Sequence, residues 1–206
     1  YDQNFKDNDY YVSKCNKHIF DLVFSWPKWE KNFINISGEK FSGKSHLGDI
    51  FLKKFKGIKL DSKLFNNQNL QEIKIHQNVV LENLDENIDE KLLFSLLNIL
   101  EQDNKYLIIT SQKSIVNLNF KLNDLKSRAK NFLLLDIDRP DDEMMFALIL
   151  KNLSDRQISL DKKLINYIIK RIDRSYSKIS EFIYKIDELS LKKKKPINLK
   201  TIKEIL

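Results

Sequence analysis

Residues 37–47 read SGEKFSGKSHL, and within them stands Gly38-x4-Gly43-Lys44-Ser45. This is the spacing of a phosphate-binding loop. Gly38 and Gly43 let the backbone turn tightly and bring its N–H groups close to an anion. Lys44 reaches the terminal phosphates, and the Ser45 hydroxyl is placed to ligate Mg²⁺. The apolar run NFINI (Asn32 to Ile36) leads straight into the loop, and SHLGDIFLKKF (Ser45 to Phe55) leaves it with helical spacing. Strand, loop and helix therefore follow in the order the mechanism requires. Two of the chain's four glycines occupy the motif positions.

Working outward, the segments alternate in type. NKHIFDLVFSW has helical spacing and stops before Pro27, and DEKLLFSLLNILEQ is a long helix. GIKL, NVVLEN, KYLIITS and NFLLLDI read as further strands. Five strands separated by helices predict a parallel sheet covered on both faces. After DRPDDE (Asp138 to Glu143) every apolar pattern has helical period. The expected division is an α/β domain over residues 1–138 and a small all-helical domain over 139–206. Asp141 and Ser159 are the expected helix N-caps.

Composition narrows the classes. With 206 residues, 42% hydrophobic and 32% charged, the chain can bury a good core. No apolar run approaches the ~20 residues of a membrane helix, and no membrane partner is expected. The polar start, YDQNFKDNDYY, is not a signal peptide. Cys15 is the only cysteine, which excludes an internal disulfide and fits a reducing, cytoplasmic setting. The histidines His18, His46 and His76 are too scattered for a metal site. A net charge of +7 implies a weak contact with DNA or an acidic partner at low salt, and keeps a DNA-binding accessory factor as a rival reading beside an active helicase-loader-like ATPase. The run Lys192 to Lys195, before Pro196, reads as a solvated loop between helices.

The chain resembles the AAA+ class of P-loop proteins, and within it the DnaA and Hda branch. GKSHL is similar to that branch's phosphate loop. LKSRAKNFLLLDIDRPDDE is similar to its segment carrying an arginine finger, and the segment from Leu160 to Leu206 to its helical lid. The resemblance implies a cradle of Gly38, Phe41, Ser42, Gly43, Lys44, Ser45 and His46 for ADP or ATP, with Mg²⁺ on Ser45 and Glu82. No helix-turn-helix segment follows Leu206, so the expectation leans to Hda. The implied partners are the initiator DnaA and, by family alone, the DNA-loaded sliding clamp, with homo-oligomers also possible. No clamp-binding peptide is legible in YDQNFKDND.

In this branch the third strand typically ends in two acids. Here those places fall on Glu82 and Asn83, with Asp85-Glu86 as the rival register. An amide cannot act as a base, and losing a general base costs about 10²–10⁴ in rate. The expectation is a nucleotide that is held and spent slowly if at all. Thr110, Ser111 and Gln112 stand at the first sensor. The second falls near Ser177, between Arg174 and Lys178. Tyr11 and Val12 are the candidate base contacts. Arg128 matches the arginine finger, which acts in a neighbour's site and can contribute 10³–10⁵ in rate.

Overall fold

The structure, a computed structural model, describes residues 10–193 and 197–206. It divides into two compact units. One holds Tyr10, His18–Gly38 and Ser42–Ile137; the other holds Tyr11–Lys17, Glu39–Phe41 and Asp138–Leu206. Tyr11–Lys17, Glu39–Phe41 of the phosphate loop and Asp138 thus group with the helical unit.

The α/β unit runs α1 (Lys17–Phe24), β1 (Phe33–Ser37), α2 (Lys44–Phe55), β2 (Ile58–Asp61), α3 (Asn67–Glu72), β3 (Asn78–Leu84), α4 (Glu90–Gln102), β4 (Tyr106–Ser111), α5 (Asn123–Ala129) and β5 (Leu133–Asp136). The strands form one five-stranded sheet in the order β2-β3-β4-β1-β5, with every pairing parallel. β1 is buried at all five positions, as a strand covered on both faces must be. Its central polar residue, Asn35, is fully satisfied. The Asn35 amide donates to the Ile109 carbonyl and to Ser111 Oγ, and its oxygen accepts from the Ile115 N–H. Asp89 caps α4 by accepting from the Lys91 and Leu92 N–H groups. That helix then buries Leu92, Leu93, Leu96, Leu97 and Leu100 against Val79, Leu81, Leu107 and Ile109 of the sheet. Truncating one such leucine costs about 2–5 kcal/mol.

The helical unit runs α6 (Asp142–Asp155), α7 (Lys162–Ile169), α8 (Tyr176–Lys193) and α9 (Leu199–Ile205). Met145, Ile149, Ile165, Ile168, Phe182, Ile186 and Ile202 form its own core. Asp141 caps α6, as expected, by accepting from the Met144 N–H. Ser159 does not cap α7. Asp161 does, accepting from the Leu164 N–H at 2.7 Å, because a carboxylate there also meets the positive end of the helix dipole. Lys192 and Lys193 extend α8 rather than a loop; Lys194 to Pro196 lie outside the described residues, as does YDQNFKDND.

Candidate functional site

The loop leaves β1 at the carboxyl end of the sheet, where ligands of parallel α/β sheets bind. Gly43 has φ 88, in the left-handed region that favours glycine. A Cβ there would stand 3.2 Å from the Tyr10 ring. A Cβ on Gly38 would stand 3.1 Å from both Ile137 Cβ and Ser42 Oγ. Lys44 Nζ donates to the Gly38 carbonyl at 2.8 Å and to Ser42 Oγ at 3.1 Å, which holds the ammonium over the loop. Ser45 is half-buried in the first turn of α2, where N–H groups have no carbonyl partner within the helix. His46 is buried with its ring edge-on to Tyr10 at 5.4 Å, so it packs the loop's base. Phe41 is half exposed at φ 69, its ring beside the Lys40 ammonium.

The Glu82-Asn83 pair occupies an irregularity where β3 shifts register against β4, between Leu81 and Leu84. Asn83 has φ 58, a conformation asparagine tolerates better than most residues. Its N–H donates to Thr110 Oγ1 at 3.2 Å, and its side-chain amide donates to Asp61 Oδ2 at 2.9 Å. Ser62 Oγ donates to the Asn83 carbonyl. The amide is therefore fixed by its neighbours on β2 and β4, quite apart from any role towards water. Asp85 and Glu86, the rival pair, lie just beyond β3, and Glu86 pairs with Lys113 at 3.5 Å.

Glu82 departs from expectation. Its Oε2 lies 3.0 Å from Lys59 Nζ, and Lys59 lies 2.6 Å from Asp49 Oδ1. Its Oε1 is closed off from solvent and makes no hydrogen bond. Burial pushes the Lys59 ammonium down, but its bonds to Asp49 and Glu82 outweigh this and raise its pKa above the ordinary lysine value. One carboxylate oxygen is thus engaged by a cation and the other is walled in. With its oxygens so placed, Glu82 does not fit a Mg²⁺-holding role. Among the described residues, no group of three or more His, Cys, Asp or Glu side chains could hold a metal.

The sensor positions are largely committed elsewhere. Thr110 is buried with its oxygen on the Asn83 N–H, Ser111 Oγ takes the Asn35 amide, and Gln112 is exposed. In the helical unit, Arg174 pairs with Asp142 at 2.9 Å and Lys178 with Glu181 at 3.0 Å. Glu39 closes the start of α8, accepting from Ser175 Oγ and from the Tyr176 and Ser177 N–H groups. Burial raises the Glu39 carboxyl, but these bonds outweigh it and leave the pKa below the ordinary value. Tyr11 donates to Glu143 at 2.7 Å within the same unit. The tyrosine that meets the phosphate loop is Tyr10, one residue earlier. Sequence reasoning missed Lys59, Glu39 and Tyr10. A lysine inside the apolar strand GIKL was the one legible signal.

Arg128, on α5, is tied to α4. Its guanidinium pairs with Glu101, donates to Asn98 Oδ1 at 2.6 Å and lies 4.9 Å from the Phe94 ring centre. About 24% of its side chain remains exposed.

A P-loop on the second-last strand of a 2-3-4-1-5 parallel sheet, with a separate bundle of four helices after it, defines the AAA+ class. The model of the family described as Hda, lid domain, matches residues 141–206. The chromosomal replication initiator protein DnaA of Borrelia garinii subsp. bavariensis is 30% identical over 101 residues, which are 49% of this chain and 21% of that protein. The match thus spans about a fifth of that relative's length. The crystal structure of domain III of Thermotoga maritima DnaA superposes with a TM-score of 0.79 at 18% identity, covering 100% of this chain and 96% of that one. AMPPCP-bound DnaA from Aquifex aeolicus gives 0.71 at 19% identity, covering 92% and 66%. The chain thus has the AAA+ fold, and in sequence it is similar to DnaA over part of its length and to the Hda lid over residues 141–206. No helix among the described residues is long and apolar enough to cross a membrane.

Proposed function

We propose that this chain is a nucleotide-holding regulator of chromosomal replication initiation, which keeps its own ADP or ATP and presents Arg128 to the nucleotide site of DnaA. The observation that carries the reading is the contrast at the carboxyl end of the sheet. The phosphate loop has its glycines in the required geometry and its ammonium over the cradle, while Glu82 is bound by Lys59 and Asn83 by Asp61. A carboxylate that polarises an attacking water must be free to reach it; Glu82 is held by Lys59, and Asn83 has no carboxylate. The first-turn N–H groups of α2 and the Lys44 ammonium, now on Gly38 and Ser42, are the groups that would meet phosphate. The AMPPCP held by the Aquifex DnaA supports nucleotide as the ligand. The lid family and the initiator relatives support DnaA as the partner.

In this reading the initiator's own residues perform the hydrolysis and Arg128 stabilises its transition state. Guanidinium suits that task through its planar fork of donors. Arg128 must first leave Glu101 and Asn98, and its partial exposure leaves that path open. Docking on the DNA-loaded clamp and association with further copies belong to the same reading.

The test is ATP turnover by the purified chain, beside turnover by DnaA with the chain and DNA-loaded clamp added. An inert chain that accelerates DnaA supports the regulator. A chain that turns over ATP at ordinary enzymatic rates replaces it with an active motor.

A further inference from the structure

Lys59 stands where no phosphate-loop motif calls for a residue. It lies on β2 in parallel register with Val80, two residues before Glu82 on the neighbouring strand. Its side chain therefore runs along β3 to the Glu82 carboxylate, 3.0 Å away. From the other side it is held by Asp49 at 2.6 Å, and Asp49 stands one helical turn after Ser45 on α2. Two carboxylates thus fix one ammonium beside the first turn of the phosphate-loop helix.

We propose that Lys59 takes, at Glu82, the place that a divalent cation takes in a metal-dependent phosphate site, so that this loop holds nucleotide equally well with and without Mg²⁺. The proposal rests on the nucleotide reading above. Three observations support it. Mg²⁺ is a hard cation that wants carboxylate and water oxygens in near-octahedral geometry. Glu82 offers it neither oxygen, since one is on Lys59 and the other is walled in. Coulomb energy falls only as the inverse of distance. The +1 charge 3.0 Å from the carboxylate therefore offsets part of the pull that Glu82 exerts on a cation, within a cluster of two carboxylates and one ammonium. Finally, Asp49 prevents the ammonium from swinging aside at little cost. Of the two protein ligands expected for a metal, what remains is the neutral Ser45 hydroxyl, beside the phosphates and water. Charge on the phosphates is instead met by Lys44 and the loop's N–H groups, none of which depends on metal.

The experiment is titration of the purified chain with a fluorescent ADP analogue, in millimolar Mg²⁺ and again in excess EDTA. Wild type is expected to show a Kd ratio between the two buffers below about threefold, and Lys59→Met, which frees Glu82, a ratio above about tenfold in favour of Mg²⁺. Lys59→Arg keeps the cation and is expected to behave as wild type. Wild-type binding that collapses in EDTA overturns the proposal while leaving the nucleotide reading intact. A Lys59→Met chain that is folded by circular dichroism yet equally indifferent to Mg²⁺ removes Lys59 as the cause. Absence of binding in both buffers overturns the nucleotide reading, and this proposal with it. The wild-type ratio needs no variant, so a misfolded Lys59→Met still leaves the test decisive.

Discussion

Replacing Arg128 with alanine separates a functional arginine from a structural one, because the structure bounds what the substitution costs the fold. The side chain makes an ion pair with Glu101, a hydrogen bond to Asn98 and a cation–π contact with Phe94. Arg128 is about a quarter exposed and Glu101 about half, so the pair is screened and contributes roughly 0.5–1 kcal/mol. The ring contact adds about 0.5–1 kcal/mol and the amide bond about as much. One side chain makes all three, so the total is about 2 kcal/mol. For a chain of this size that lowers the melting temperature by roughly 4–8 °C, against a total stability of some 5–15 kcal/mol. Arg128→Ala is therefore expected to fold. If Arg128 is the finger, stimulation of DnaA falls by about 10³–10⁵, far beyond what a small loss of stability can explain. Glu101→Gln is the companion variant. It loosens the tie without removing the guanidinium and is expected to keep stimulation at or above wild type. The assays are phosphate release by DnaA and thermal melts of the two variants. Arg128→Ala that melts within the stated interval and still stimulates DnaA refutes the finger.

Gly43→Ala must place a side chain at φ 88 with its Cβ 3.2 Å from the Tyr10 ring; the left-handed conformation alone costs about 1–2 kcal/mol, and fluorescent-ADP affinity should drop at least about tenfold. Unchanged affinity would show that the loop does not hold the phosphates. Asn83→Asp sets a second carboxylate about 2.9 Å from Asp61. The expected result is a lower melting temperature at pH 7 that recovers in part on acidification, with no gain in the chain's own turnover, because Glu82 stays on Lys59. A variant that hydrolyses ATP at ordinary rates would count against that. Glu39 has a carboxyl pKa depressed in the folded state, so its contribution is complete above the unfolded value of about 4.3 and is lost as pH falls through the lower folded value. Glu39→Gln should therefore melt below wild type at pH 7, with the gap closing below about pH 4; a gap that persists at acidic pH argues against the capping role.

Sequence alone carried the sheet. NFINI, NVVLEN and KYLIITS are apolar runs bounded by turns, and each became a buried parallel strand because such runs must be covered on both faces. The phosphate loop was legible for a related reason: glycine spacing and the strand-to-helix transition are local, and local geometry is written in consecutive residues. Asp141 was found as a cap on the same footing. Ser159 was not, because Asp161, two residues on, competes for the same helix start and a carboxylate wins there. The state of the acid pair was beyond reach. Glu82 reads as a free carboxylate until β2 is laid beside β3, when Lys59 falls within 3.0 Å of it. The role of Glu39 at the start of α8 is likewise invisible in the sequence, since its partners Ser175, Tyr176 and Ser177 lie far along the chain. Sequence periodicity determined the five strands and most of the helices, though not α3, and where the glycine loop lies. Which charges meet across strands distant in the chain was decided only by the tertiary structure, since pairing depends on sheet order and register, and neither is encoded in any one segment.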